Sequence, residues 1–240
     1  MPLNASIVTL LILAMLFTGC RNREKGEGAH QLDRELDEHE FRQSLVQVNP
    51  GLLDPAAVIQ LIRMTGASYR ENLVNFSGPD SIYLLDTVLS ALNLGIYTVD
   101  IAYLAAYGKR ELFNLQLDKA RVLADNIGAA HLYDHGLFRR YQVAGVPEDT
   151  LLNILKHAAE RFEHEFLQKE MMRVSTFFTT GEFIEKLHLT TRLLIQADRD
   201  NDDSYLGLML LLFHQEKSLR QLITLLDQVR RSEEGERFMA

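Results

Sequence analysis

Residues 81–107 read SIYLLDTVLSALNLGIYTVDIAYLAAY and carry only two charged side chains, Asp86 and Asp100. The stretch lacks the strict apolar–polar alternation of a half-buried strand and is rich in Leu and Ala. Gly78-Pro79-Asp80 opens it and Gly108-Lys109 closes it, as turn residues should at helix boundaries. Every 19-residue window includes an Asp, which would cost about 2.5–3.5 kcal/mol at a bilayer centre. The segment is therefore expected to be a core helix of a folded domain. Seven residues of α-helix return a side chain to within about 20° of its starting direction. Asp86, Asn93, Asp100 and Tyr107 then form one polar line, provided the helix runs through Gly95. That line is either the narrow exposed stripe of a deeply buried helix or a polar track lining a cleft. A break at Gly95 would instead leave two separate caps.

The rest of the chain reads the same way. Beyond Pro2, prolines occur only at 50, 55, 79 and 147, so two long stretches are free of helix breakers. Asp54-Pro55 offers an N-cap and a favoured first helical residue, and Gly66 ends that short helix. Ser68 and Glu71 have capping-box spacing, which predicts a further helix start. A helix is expected from Lys109 to Gly128, another from Pro147, one from Thr180 to about Ala197, and a last one to about Arg231. No Asn-Gly hairpin signal or strand run is found. These signs predict an all-α protein of nine to eleven helices, one domain over 31–240. Residues 31–47 would form an amphipathic leader helix. The architecture is either a multi-helix bundle or an irregular helical-hairpin array. Residues 97–125, with a turn at Gly108 and Ala120 twelve residues on, resemble a tetratricopeptide unit. Glu111, Ala124 and Ile127 depart from that pattern, and no second copy follows at a fixed period.

The composition is that of an ordinary globular chain: 240 residues, 47% apolar, 24% charged, net charge −8. It excludes a wholly disordered chain, a collagen and a polytopic membrane protein. The acidic balance argues against a nucleic-acid partner bound through bulk charge. A single cysteine allows no intramolecular disulfide, and its position is informative. Ile7 to Phe17 is an eleven-residue apolar run, too short to span a bilayer. Phe17-Thr18-Gly19-Cys20 follows it. This resembles the signal and lipobox of bacterial lipoproteins, although Phe17 stands where Leu is usual and the leader carries no Lys or Arg. The resemblance implies removal of residues 1–19, acylation of Cys20 and a lipid-anchored place in the cell envelope. Arg21 after the cysteine resembles lipoproteins passed to the outer membrane. Residues 20–30 then read as a lipidated, flexible tether. The stretch LNLGIYTVDIAYLAAYG, residues 92–108, is loosely similar to segments of uncharacterised helical lipoproteins of Gram-negative bacteria, which implies no activity.

No catalytic residues can be assigned. The chain lacks G-x-S-x-G, a P-loop, GxGxxG and HExxH. Asp198, Asp200 and Asp202 alternate like the start of a calcium loop, but Asp203 and Met209 stand where Gly and Glu are required. His131 and His135 are spaced i,i+4, and His157, Glu160 and His164 would share a helical face. Glu185 and His188 supply one Glu-x-x-His where a di-iron bundle needs two. Exposed histidines, no metal and no cofactor are the expectation. Arg230-Arg231 is read as favouring the helix dipole. The leading functional expectation is a non-enzymatic helical module, tethered through Cys20, that binds a protein or exposed peptide on one helical face. The alternative is a helical envelope enzyme or ligand receptor whose acidic cleft centres on Asp86 and Asp100, with Asn93 and Tyr107 on the same line.

Overall fold

The computed structural model describes residues 54–76, 81–133, 148–168, 171–197 and 203–237. All described residues belong to one compact unit, His39–Ala240. The signal segment, Cys20, the tether, the leader helix, Gly78-Pro79-Asp80, His135 and the acidic turn at 198–202 lie outside the described residues.

The described residues are all-α, without strands. Six α-helices form: α1 (Pro55–Met64), α2 (Thr87–Ala106), α3 (Arg110–Asn126), α4 (Glu148–Gln168), α5 (Met172–Gln196) and α6 (Asp203–Arg237). Short 3-10 turns occupy Glu71–Leu73, Ser81–Leu84 and Ala130–Tyr133. Six α-helices thus stand among these residues where nine to eleven were expected along the whole chain.

Local chemistry accounts for several boundaries. The Asp54 carboxylate accepts from the Ala56 N–H at 3.0 Å, Pro55 sits where no N–H is needed, and Gly66 takes a positive φ. α2 starts at the Asp86 cap, whose carboxylate accepts from the Val88 N–H at 2.6 Å. It ends where Gly108 turns left-handed and the Lys109 N–H reaches back to the Leu104 carbonyl, a Schellman closure.

α2 runs unbroken through Gly95 and is the hub of the fold. Sixteen of its twenty residues are buried, against α1, α3, α4 and, most extensively, α5. Among the described residues it alone is long and apolar enough to cross a membrane, and other helices cover most of it. α3 folds back antiparallel, with Gln116 bonded to Asp100 near the turn and Asn126 bonded to Ser90 at the far end.

The α2–α5 packing rests on two glycines. A Cβ on Gly95 would lie 2.1 Å from the Phe178 carbonyl oxygen, and one on Gly181 would lie 1.9 Å from that of Leu92. Backbone meets backbone there, so neither position tolerates a side chain. This also corrects the expected start of α5 at Thr180. Thr179-Thr180-Gly181 is poor helix-forming sequence, yet the helix begins at Met172 and passes through it. Burial of Gly181 against α2 outweighs local propensity.

α5 and α6 form an antiparallel hairpin. α6 buries Ser204, Leu208, Leu211, Gln215, Ser218, Leu222, Leu225 and Val229, a strict 4-3 spacing that keeps one seam facing a partner helix. Gln215 sits mid-seam and donates to the Thr190 hydroxyl at 2.9 Å, which fixes the register. Phe183, Leu222, Leu225 and Val229 form a small second core, separate from the main one.

Candidate functional site

The four residues of the polar line hold four separate positions. Asp86 is exposed and caps α2. Asn93 is buried and donates to the Leu89 carbonyl of its own helix at 2.9 Å. Tyr107, half-buried, donates to the Ala67 carbonyl at 2.6 Å. Asp100 is 0% exposed. Asp86 and Asp100 lie fourteen residues apart on one straight element, about 21 Å along its axis. The expected acidic cleft, with both carboxylates on one ligand, is therefore not formed. Asp100 meets a different set of groups.

Those groups are brought together by the segment 67–76, a strap laid across α2 and α3. The capping-box spacing of Ser68 and Glu71 predicts a helix there, but only the 3-10 turn Glu71–Leu73 forms, capped by no side chain. The strap's backbone groups are satisfied from outside instead. The Arg70 N–H donates to the Tyr103 hydroxyl at 2.9 Å, and the Asn75 N–H to Asp100 Oδ2 at 3.2 Å. Gln116 Nε2 donates to the Asn75 carbonyl at 2.8 Å and also to Asp100 Oδ2 at 3.1 Å. Lys119 Nζ donates to the Phe76 carbonyl. Tyr69 packs against Tyr103 and Tyr107 with centroids 5.4 and 5.7 Å away, and Lys109 lies over the Tyr69 ring. Burial, reinforced by Glu71, pushes the Tyr69 hydroxyl up to about 12, so it stays protonated at physiological pH.

Across the α2–α5 seam stands Glu185, 7% exposed. A Cβ on Gly181 would lie 3.1 Å from the Ile96 nitrogen. Asp100 and Glu185 each lie one turn beyond that contact, and the Glu185 charge acts on Asp100, which sets the two helices in the same sense with the carboxyls on either side of the seam. Burial first, and then the Glu185 carboxyl, hold the Asp100 carboxyl well above the usual carboxylate range. Burial raises Glu185 to about 7. Asp100 Oδ1, Gln116 Oε1 and Glu185 Oε1 are all buried without a hydrogen-bond partner. Ser175, Thr176, Thr179 and Glu182 of α5 also carry buried oxygens in that state, but among the described residues only here do two carboxyls share it across one seam.

The metal expectation concerned the histidines. His131 Nε2 lies 2.5 Å from Glu165, and His157 Nδ1 lies 3.0 Å from Glu160, both at the surface. Glu185 is buried while His188 is exposed, so that Glu-x-x-His does not converge. Among the described residues no group of three or more His, Cys, Asp or Glu side chains could hold a metal ion. A cavity of about 90 Å³ opens near the junction of α1, α5 and α6, by Arg70, Leu193, Gln196, Ser204 and Leu208. It is small beside the roughly 300–1,000 Å³ of ligand sites.

Sequence reasoning missed Tyr103, Gln116 and Lys119, and singled out Glu185 only as half of a metal motif. Each acts through a partner at least sixteen residues away, and periodicity within one helix carries no such signal. Comparison with known proteins finds no match to this chain among protein-family profiles, curated proteins or solved structures.

Proposed function

We propose that the chain is a lipid-anchored envelope lipoprotein, held through Cys20 in the outer membrane, whose helical domain is a non-enzymatic interaction module for a protein or peptide partner. The observation that carries the module reading is the outward face of α6. Leu206, Leu210 and Phe213 follow one another at i, i+4 and i+7, and are 55%, 53% and 66% exposed. That spacing is how a helix presents anchors to an apolar groove or to a second helix. The opposite face of the same helix is already used against α5, so internal packing does not account for these three residues.

The anchor reading rests on Phe17-Thr18-Gly19-Cys20 and the apolar run before it. Two or more acyl chains would hold the domain stably at a membrane. An irregular bundle suits the domain better than a repeat array, in which each unit contacts only its neighbours. Here α2 packs most extensively on α5, far along the chain. The receptor alternative loses its proposed site because Asp86 and Asp100 do not share a cleft.

Two measurements test the proposal. Metabolic labelling with a palmitate analogue is expected to mark the wild type and to be absent from Cys20→Ser; retained label contradicts the anchor. Affinity capture from envelope extract is expected to recover a partner with wild type and to lose it with Leu210→Ser/Phe213→Ser. Equal recovery by a folded double variant removes α6 as the docking face.

A further inference from the structure

We propose that Asp100 and Glu185 form a proton-binding site, in which one proton shared across the α2–α5 seam keeps the strap 67–76 seated on the helices. Asp100 Oδ2 already accepts from the Asn75 N–H and from Gln116 Nε2. Oδ1 is left without a donor, and Glu185 Oε1 across the seam is in the same position. Two ionised carboxylates facing each other in a buried seam repel strongly, whereas one proton between them turns an acceptor into a donor.

Other charged groups stand near the pair. From α3, Lys119 reaches toward Asp100, but its ammonium donates to the Phe76 carbonyl of the strap. On α5 itself, Glu182 and Lys186 are buried on either side of Glu185. Lys186, together with Lys156 of α4, acts on Asp54 at the start of α1. From the strap, Tyr69 senses Asp100 through a neutral hydroxyl. α6 contributes the uncharged Gln215 to the α5 seam. Two carboxyls and one amide oxygen also fall short of the six to eight oxygens that calcium requires.

Losing the proton places two negative charges across the seam. The nearest relief is water, and the strap is what covers Asp100 on the α3 side. Unseating 67–76 costs few backbone bonds, because side chains and not a helix satisfy them. The site therefore couples proton uptake to strap closure: seated when protonated, released when the proton leaves.

Hydrogen exchange on the full-length chain in detergent, corrected for intrinsic exchange, tests this between about pH 5.5 and about pH 8.5. In the wild type, exchange across Ala67–Phe76 and Gly181–Leu189 is expected to rise at least roughly tenfold with pH. Glu185→Gln mimics the protonated carboxyl and should hold both segments closed throughout. Asp100→Asn keeps an oxygen for the Asn75 N–H and should do the same. Corrected exchange in the wild type that is independent of pH overturns the proposal, whether or not either variant folds. An undiminished rise in a folded Glu185→Gln also overturns it.

Discussion

α2 and the start of α6 each carry a long apolar run, and the fold treats the two in opposite ways. α2 is buried on nearly every side, and two of the polar side chains it encloses, Asp100 and Tyr103, fasten the strap. The YLGLMLLLF run of α6 buries only the heptad face toward α5 and leaves Leu206, Leu210 and Phe213 exposed. An apolar run by itself does not say which of its faces will be enclosed. What separates the two helices is the number of neighbours the backbone can admit, and α2 admits α5 at backbone distance because Gly95 and Gly181 lack side chains. Polar groups enclosed by α2 become chemically strained, while apolar groups left out by α6 become available to a partner.

The largest effect should come from closing the glycine contact. Gly181→Ala would drive a Cβ into the Leu92 carbonyl, so the helices must separate and carry the carboxyl pair with them. Loss of at least about 3 kcal/mol is expected in denaturant unfolding; a near-neutral result would show that the seam is not tightly packed.

Two phenylalanines differ in the same way. Phe178 is 0% exposed on the α2–α5 side, and Phe213 is 66% exposed on α6. Phe178→Ala is expected to cost about 3–5 kcal/mol and Phe213→Ala about 0.5 kcal/mol or less. Similar losses at both positions would mean that α6's outer face is packed in solution.

A smaller effect is the dependence of stability on pH. Burial raises both carboxyls of the seam above their unfolded values, so the folded state binds more protons than the unfolded one. Stability contributed by the pair is then fully present below about pH 4 and declines as pH rises toward the folded value, about 7 for Glu185. The decline should be on the order of 2 kcal/mol for the wild type and smaller in Glu185→Gln, where burial alone still raises Asp100. A wild type that gains stability over that range would reverse the sign and refute the pairing.

Much of this arrangement is legible locally. Asp54-Pro55, Gly66, Gly108 and Gly128 mark helix ends through backbone chemistry that acts within a few residues, and the structure places helix ends at them. The polar line on α2 is visible as a line. What it does is not visible, because its partners come from the strap, from α3 and from α5. Gly181 misleads by itself: in sequence it reads as a boundary after two threonines, and only the Leu92 carbonyl explains why it sits inside a helix. Ser68 and Glu71 mislead for the converse reason, since tyrosines from α2 capture the backbone that a helix would have used.

At the centre of the fold, we propose, a proton is held between Asp100 and Glu185. Carboxyl ¹³C chemical shifts of both residues, followed through a pH titration of the full-length chain, test it most directly. A carboxyl with a midpoint close to the Glu185 value of about 7 is expected, and it should disappear in Glu185→Gln. Complete ionisation of Asp100 and Glu185 below about pH 5, as for solvated carboxyls, would contradict it.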